Sequence, residues 1–208
     1  KTKMPTSYSK FTYADLVALG IKVQDKPIFL TPIPEVQPTE WLVTSLAKNR
    51  RRKLKTEKAK SEFAIAPVLD EIEERNVDIV ACYSGYIFDV DKPKGLKGFC
   101  DFLMTFEPNS PYVDAPVFCI VEAKNDNLDN GTAQCIAEMY AAQLFNQRKG
   151  KDIPIIYGAT TFGFQWKFHQ LEGIVATSDV DIYYLNELPK LLGVLQHIVN
   201  QSILFYKK

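Results

Sequence analysis

Two acids are written into apolar runs: Asp101 in LKGFCDFLMTF (96–106) and Glu122 in VFCIVEAK (117–124). An isolated carboxylate in a core is costly, so it needs a metal, a cation or a shifted pKa beside it. In Glu122-Ala123-Lys124 the strand period of two puts Glu122 and Lys124 on one side, roughly 6.5 to 7 Å apart along the backbone. If the strand carrying Asp101 pairs with this one, two carboxylates reach the same divalent ion. Oxygen ligands of this hardness favour magnesium or manganese. Without a metal, the same residues make a structural ion pair, since such networks also place charge in cores.

The elements that must position these residues follow from periodicity and punctuation. Residues 11–19 (FTYADLVAL) carry helical spacing, with Thr12 as cap and Gly20 as stop. Prolines 27, 32, 34 and 38 mark an extended segment before Thr39 opens a helix through Trp41, Leu42 and Leu46. The run 48–60 (KNRRRKLKTEKAK) holds eight basic residues and one acid, and leads into an amphipathic helix, SEFAIAPVLDEIEER. That helix is expected to bury Phe63, Ile65, Ala66, Leu69 and Ile72, with Glu62 at its start near the apolar face and Glu71, Glu73 and Glu74 in solvent. Residues 79–90 and 96–106 read as strands joined by the turn DKPKG, and 117–124 as a central strand buried on both faces. TAQCIAEMYAAQLFNQRK is a helix stopped by Gly150 and IPIIYGATT a buried strand. FQWKFHQLEG and the segment around DIYYL add edge strands, and LPKLLGVLQHIVNQSILF closes the chain as a helix. The order predicts one mixed α/β domain: an accessory N-terminal arm (1–47), a core over 57–168 and a C-terminal extension (169–208).

Glu62 in a helix, Gly98-Phe99-Cys100-Asp101 entering a strand, Glu122-Ala123-Lys124 ending the next, and Gln134 in the following helix together resemble the PD-(D/E)XK nuclease superfamily. The resemblance covers roughly residues 57 to 168 and implies its restriction-endonuclease-like αβββαβ core. It implies that Asp101 and Glu122 ligate magnesium or manganese, helped by the Ala123 carbonyl, with Glu62 completing the shell or holding a second ion. Lys124 would position or activate the attacking water. Gln134 and Tyr140 resemble the glutamine and tyrosine of the RecB-like branch, which orient the site and the substrate backbone. Cys100 stands where the motif's proline would be, and the Gln134–Tyr140 spacing is looser than the motif. The implied activity is hydrolysis of phosphodiester bonds, with DNA as the partner and a homodimer as an optional assembly. A module that keeps the fold without turnover is the alternative.

The 25 basic residues balance the 25 acidic ones, so any nucleic-acid signal is local. The candidates are Arg50, Arg51, Arg52, Lys53 and Lys55, otherwise a solvated helix face. Cys82, Cys100, Cys119 and Cys135 stand far apart without zinc spacing and read as small buried hydrophobes carrying reduced thiols. His169 and His197 sit in no supporting motif, which argues against histidine nucleases and a Ser-His-Asp triad. Leu128 stands where a calcium loop through Asp126 and Asp129 needs oxygen. Phe164, Trp166 and Phe168 alternate as one strand face and are expected in the core. Apolar runs fall short of a membrane span and the N-terminus lacks a signal-peptide core, so the expected location is cytoplasmic.

Overall fold

The computed structural model describes residues 4–206. It is an α/β fold with a mixed eight-stranded sheet flanked by helices. Along the chain the elements are α1 (Tyr13–Ala18), β1 (Lys22–Asp25), α2 (Glu40–Asn49), α3 (Glu57–Lys60), a π-helical turn (Ser61–Ile65), α4 (Ala66–Arg75), β2 (Ala81–Ile87), β3 (Phe99–Thr105), β4 (Val117–Ala123), α5 (Asp129–Arg148), β5 (Ile155–Thr161), β6 (Gln165–Glu172), β7 (Val175–Ser178), β8 (Tyr183–Tyr184) and α6 (Leu188–Tyr206). The sheet order is β1-β7-β6-β5-β4-β3-β2, with β8 on β6. The expected three-strand meander is present, since β2, β3 and β4 pair antiparallel. β5 then returns parallel to β4 after the α5 crossover.

Every residue of β4 is buried, as an apolar run between two neighbours and covering layers requires. α5 is fastened to the start of this strand by Asn146, whose side chain accepts from Val117 N–H and donates to Val117 O, both at 2.8 Å. Thr12 and Asp15 form the capping box of α1, and Gly20 follows it at a φ of 83°.

Several expectations are corrected. β6 is not an edge strand: it lies between β5 and β7, and the edge on that side is β1, from the N-terminal arm, parallel to β7. The basic run is mostly a loop between α2 and α3, not a continuous helix face. The π turn adds a residue to the helical phase, so Ala64, Ile65, Val68, Leu69 and Ile72 are buried while Phe63 and Ala66 are only partly so. Pro67 has no N–H for the Phe63 carbonyl, and the Asn49 side-chain amide donates to that carbonyl at 2.9 Å instead. Glu71 is buried, not solvated, because it accepts from Thr39 N–H at 3.1 Å, Thr39 Oγ1 at 2.5 Å and Arg75 at 2.6 Å. Trp166 and Phe168 enter the core, but Phe164 precedes β6 and is 41% exposed. No helix among the described residues is long and apolar enough to cross a membrane.

Candidate active site

The β3–β4 register pairs Phe102 with Val121, and one step further it sets Asp101 opposite Glu122. Directly opposed residues share a face and stand close enough for their side chains to meet. On β2, Gly85 falls between Ser84, paired with Phe102, and Tyr86, paired with Cys100, so it flanks Asp101. Its φ of 62° favours glycine, and without a side chain it leaves Asp101 open to a hollow. That hollow, of about 240 Å³, is bordered by Glu57, Lys58, Ser61, Glu62, Ser84 and Asp101.

Lys124 follows β4 directly, and its N–H donates to Thr161 O at 2.7 Å, which carries the β4–β5 pairing one residue further. Its Nζ lies 2.5 Å from Glu122 Oε1 and donates to Gln134 Oε1 at 3.1 Å. The sequence-derived convergence of Glu122 and Lys124 is therefore observed. The Lys124 stem runs beneath the first turn of α5, where a Cβ on Gly131 would stand 2.8 Å from Lys124 Cγ and 2.7 Å from Thr160 Cγ2. Asp101 Oδ2 accepts from Ala123 N–H at 2.8 Å, which ties the acid to the backbone between Glu122 and Lys124.

The residue that the sequence did not reveal is Glu138. It is fully buried, because α5 packs across β4 and β5 and has almost no solvent face in its first half. It accepts from Gln134 Nε2 at 3.0 Å. The i, i+4 spacing from Gln134 was the available signal. Tyr140, six residues beyond Gln134, lies roughly 240° around the helix from it and packs partly buried against the core. The structure does not bring Tyr140 together with the cluster.

Crowding and burial set the electrostatics. Desolvation, then Glu138 and Asp101, push the Glu122 carboxyl well up, against the pull of Lys124. Desolvation pushes Glu138 up to about 8 despite its bond from Gln134. Asp101 is raised by desolvation, opposed by Ala123 N–H and Lys124. Burial works most strongly against the Lys124 ammonium, but the attraction and hydrogen bond of Glu122, with Glu57 and Asp101, together outweigh it and hold the amine above its usual value. Glu122 Oε2 and Glu138 Oε2 are buried without a hydrogen-bond partner. Such orphaned oxygens are rare in native cores and call for an explanation, a bound ion among them.

The donor set fits a hard divalent cation held through few protein oxygens with water completing the shell, the usual manner of magnesium. Asp101 and Glu122 are the two carboxylates, and Ala123 lies between Glu122 and Lys124. Among the described residues, no three His, Cys, Asp or Glu side chains already converge as a metal cage. Glu62 stands at the margin, half exposed and paired with Lys58 at 3.1 Å, and borders the same hollow as Asp101. Arg50, Arg51, Arg52, Lys53 and Lys55 are exposed around the loop that follows α2.

The cysteines are all free, with Cys82 partly buried and the other three buried. His169 is enclosed between Thr160 Oγ1 and Ser178 Oγ, each at 2.9 Å, and burial lowers its pKa to about 3, in keeping with a structural role. No family model and no curated protein matches the chain.

Proposed function

We propose that the chain is a magnesium- or manganese-dependent nuclease of the PD-(D/E)XK type that hydrolyses phosphodiester bonds in DNA. The observation that carries this is the meeting of Asp101, Glu122 and Lys124, distant in sequence, at adjacent strand ends, with Asp101 bordering an open hollow. In this reading Asp101 and Glu122 hold the ion, with the Ala123 carbonyl contributing. The bound ion would supply a hydroxide near neutral pH and neutralise charge building on the phosphorus.

The chain's own groups do the rest. Lys124 is held protonated, so it acts as a charged donor and not as a base. It orients the attacking water and faces the developing negative charge. Gln134 fixes the direction of the ammonium, because an ammonium can only donate and the amide oxygen is its acceptor. Glu62 borders the hollow as a further oxygen donor, and the loop 50–55 supplies cations for the phosphate backbone.

The test is cleavage of plasmid and single-stranded DNA with magnesium, with manganese and with chelator. Metal-dependent cleavage abolished by Lys124→Ala and by Asp101→Asn, with the fold retained, is the expected result. Binding without cleavage across these substrates would instead identify a module that keeps the fold without turnover.

A further inference from the structure

The π turn that borders the hollow through Ser61 and Glu62 also lines, through Phe63 and Ala64, a cleft of about 200 Å³. Its apolar lining includes Leu46, Ala47, Leu54, Phe63, Phe164 and Leu188, with Asn49, Arg50 and Asn186 as polar members. Two of its walls adjoin the candidate catalytic residues. Phe63 follows Glu62, and Phe164 sits in the β5–β6 turn three residues after Thr161, whose carbonyl receives the Lys124 N–H.

Phe164 is a large aromatic side chain that the core leaves out, at the mouth of an apolar recess. A soluble protein that exposes an aromatic ring beside a concave apolar surface has a platform on which another planar group can stack. The surrounding charge identifies the kind of molecule. Arg50, Arg51, Arg52, Lys53 and Lys55 are gathered at the same end, and none pairs with an acid among the described residues. Arg52 is already held in place: its guanidinium lies 4.1 Å from the centre of the Phe63 ring and its Nε donates to Asn49 Oδ1 at 3.1 Å. A guanidinium fixed in this way presents its remaining N–H groups to a phosphate at little further ordering cost.

We infer that this cleft receives a nucleobase of an unpaired DNA strand, with Phe164 as the stacking surface and Arg52 and Arg50 on the flanking phosphates. Its catalytic meaning rests on the nuclease reading above. A base stacked in a duplex cannot enter a recess, whereas a single strand or a splayed end can. The substrate class assigned to the site is therefore single-stranded or locally unpaired DNA.

The experiment is fluorescence anisotropy in chelator, where no cleavage intervenes, with a labelled fifteen-residue oligothymidine, its abasic counterpart and a duplex of equal length. The intact strand is expected to bind about five- to tenfold more tightly than the abasic one, on the scale of one base–aromatic stack. Phe164→Ala, and Ala47→Leu, which fills the cleft from an exposed helical position, should each erase that difference without changing the salt dependence. Arg52→Ala should weaken intact and abasic strands alike and reduce the salt slope.

Equal binding of intact and abasic strands, unchanged base preference in Phe164→Ala, or no DNA binding at all overturns the inference. So does self-association in sedimentation that Ala47→Leu disperses, because a second copy would then occupy the cleft. The two proposals fail separately. Base-dependent binding without metal-dependent cleavage removes the nuclease reading and leaves the cleft, while cleavage with no base preference does the reverse.

Discussion

Glu138 lies one helical turn beyond Gln134 and accepts its side-chain amide at 3.0 Å, so that Gln134 turns its carbonyl oxygen to Lys124 at 3.1 Å. The order of these bonds is forced by chemistry, since the ammonium can only donate and takes the amide oxygen, which leaves the amide N–H for an oxygen of Glu138. A buried acid on a helix is thereby linked through one amide to the amine at the end of β4.

Removing that acceptor should loosen Lys124 without emptying the site of its acids. Glu138→Leu is expected to lower kcat by roughly ten- to a hundredfold, the usual scale for a partner that orients ligands from behind, with KM for DNA little changed. Glu138→Gln keeps an oxygen for the Gln134 amide and should stay close to the parent. Steady-state cleavage kinetics check this, and a Glu138→Leu protein of full activity would contradict it.

The raised carboxyl also has a thermodynamic sign. Glu138 has a folded pKa of about 8 against an ordinary value of 4.5, so between these values the unfolded chain is ionised while the folded chain resists ionisation. Its contribution to stability is full below pH 4.5 and is lost as pH rises through about 8. Buried neutral His169 acts in the opposite direction, but its contribution is complete above its ordinary 6.5, which leaves pH 7 to 8 as the clearer window. In chelator the Tm should fall across that window, and less steeply in Glu138→Gln. Parallel profiles in a pH-resolved thermal melt would rule this out.

Gly131 is where α5 passes over the Lys124 stem. Gly131→Ala puts a methyl 2.8 Å from Lys124 Cγ and 2.9 Å from Cε, so either α5 or the lysine must move. Overpacking of this kind costs about 1–3 kcal/mol, and a displacement of the ammonium by about an ångström can cost up to a hundredfold in rate. Lower Tm together with lower kcat, with DNA affinity retained, is the expected combination in melting and kinetic assays.

Glu71 anchors the start of α2 to α4. Its carboxylate takes both groups of Thr39 and is paired with Arg75, so Glu71→Ala leaves the Thr39 cap and the Arg75 guanidinium without their acceptor. The expected loss is roughly 2 kcal/mol, the scale of a lost cap and charge-assisted hydrogen bond, or on the order of 6 °C in Tm. Denaturant unfolding measures it directly, and a loss below about 1 kcal/mol would show that the anchor is dispensable.

What was legible in the sequence was what a strict local period controls. Asp101, Glu122 and Lys124 could be found because a strand alternates by two, and an acid inside an apolar run stands out against that alternation. Gln134 came only from the resemblance to the nuclease motif. Glu138 was not legible because α5 is buried on nearly every side through its first half, and a helix without a solvent face gives no basis for assigning one polar residue to water. The π turn escaped for a related reason: an extra residue shifts every later position by one, which moved Ala64 and Val68 into the core and Phe63 and Ala66 toward its margin. Pro67 was its only local mark. The β1–β7 edge is a parallel pairing of segments about 150 residues apart, beyond the reach of any local pattern. Phe164 belonged to an alternating run but fell one residue short of its strand, which put the ring outside.

The proposed nuclease site requires one divalent ion between Asp101 and Glu122. A crystal grown with manganese and measured at an energy where manganese scatters anomalously tests it most directly. A single peak within coordination distance of both carboxylates, lost in Asp101→Asn, is predicted. A peak elsewhere, or none at saturating manganese while Glu122 stays paired with Lys124, would contradict it.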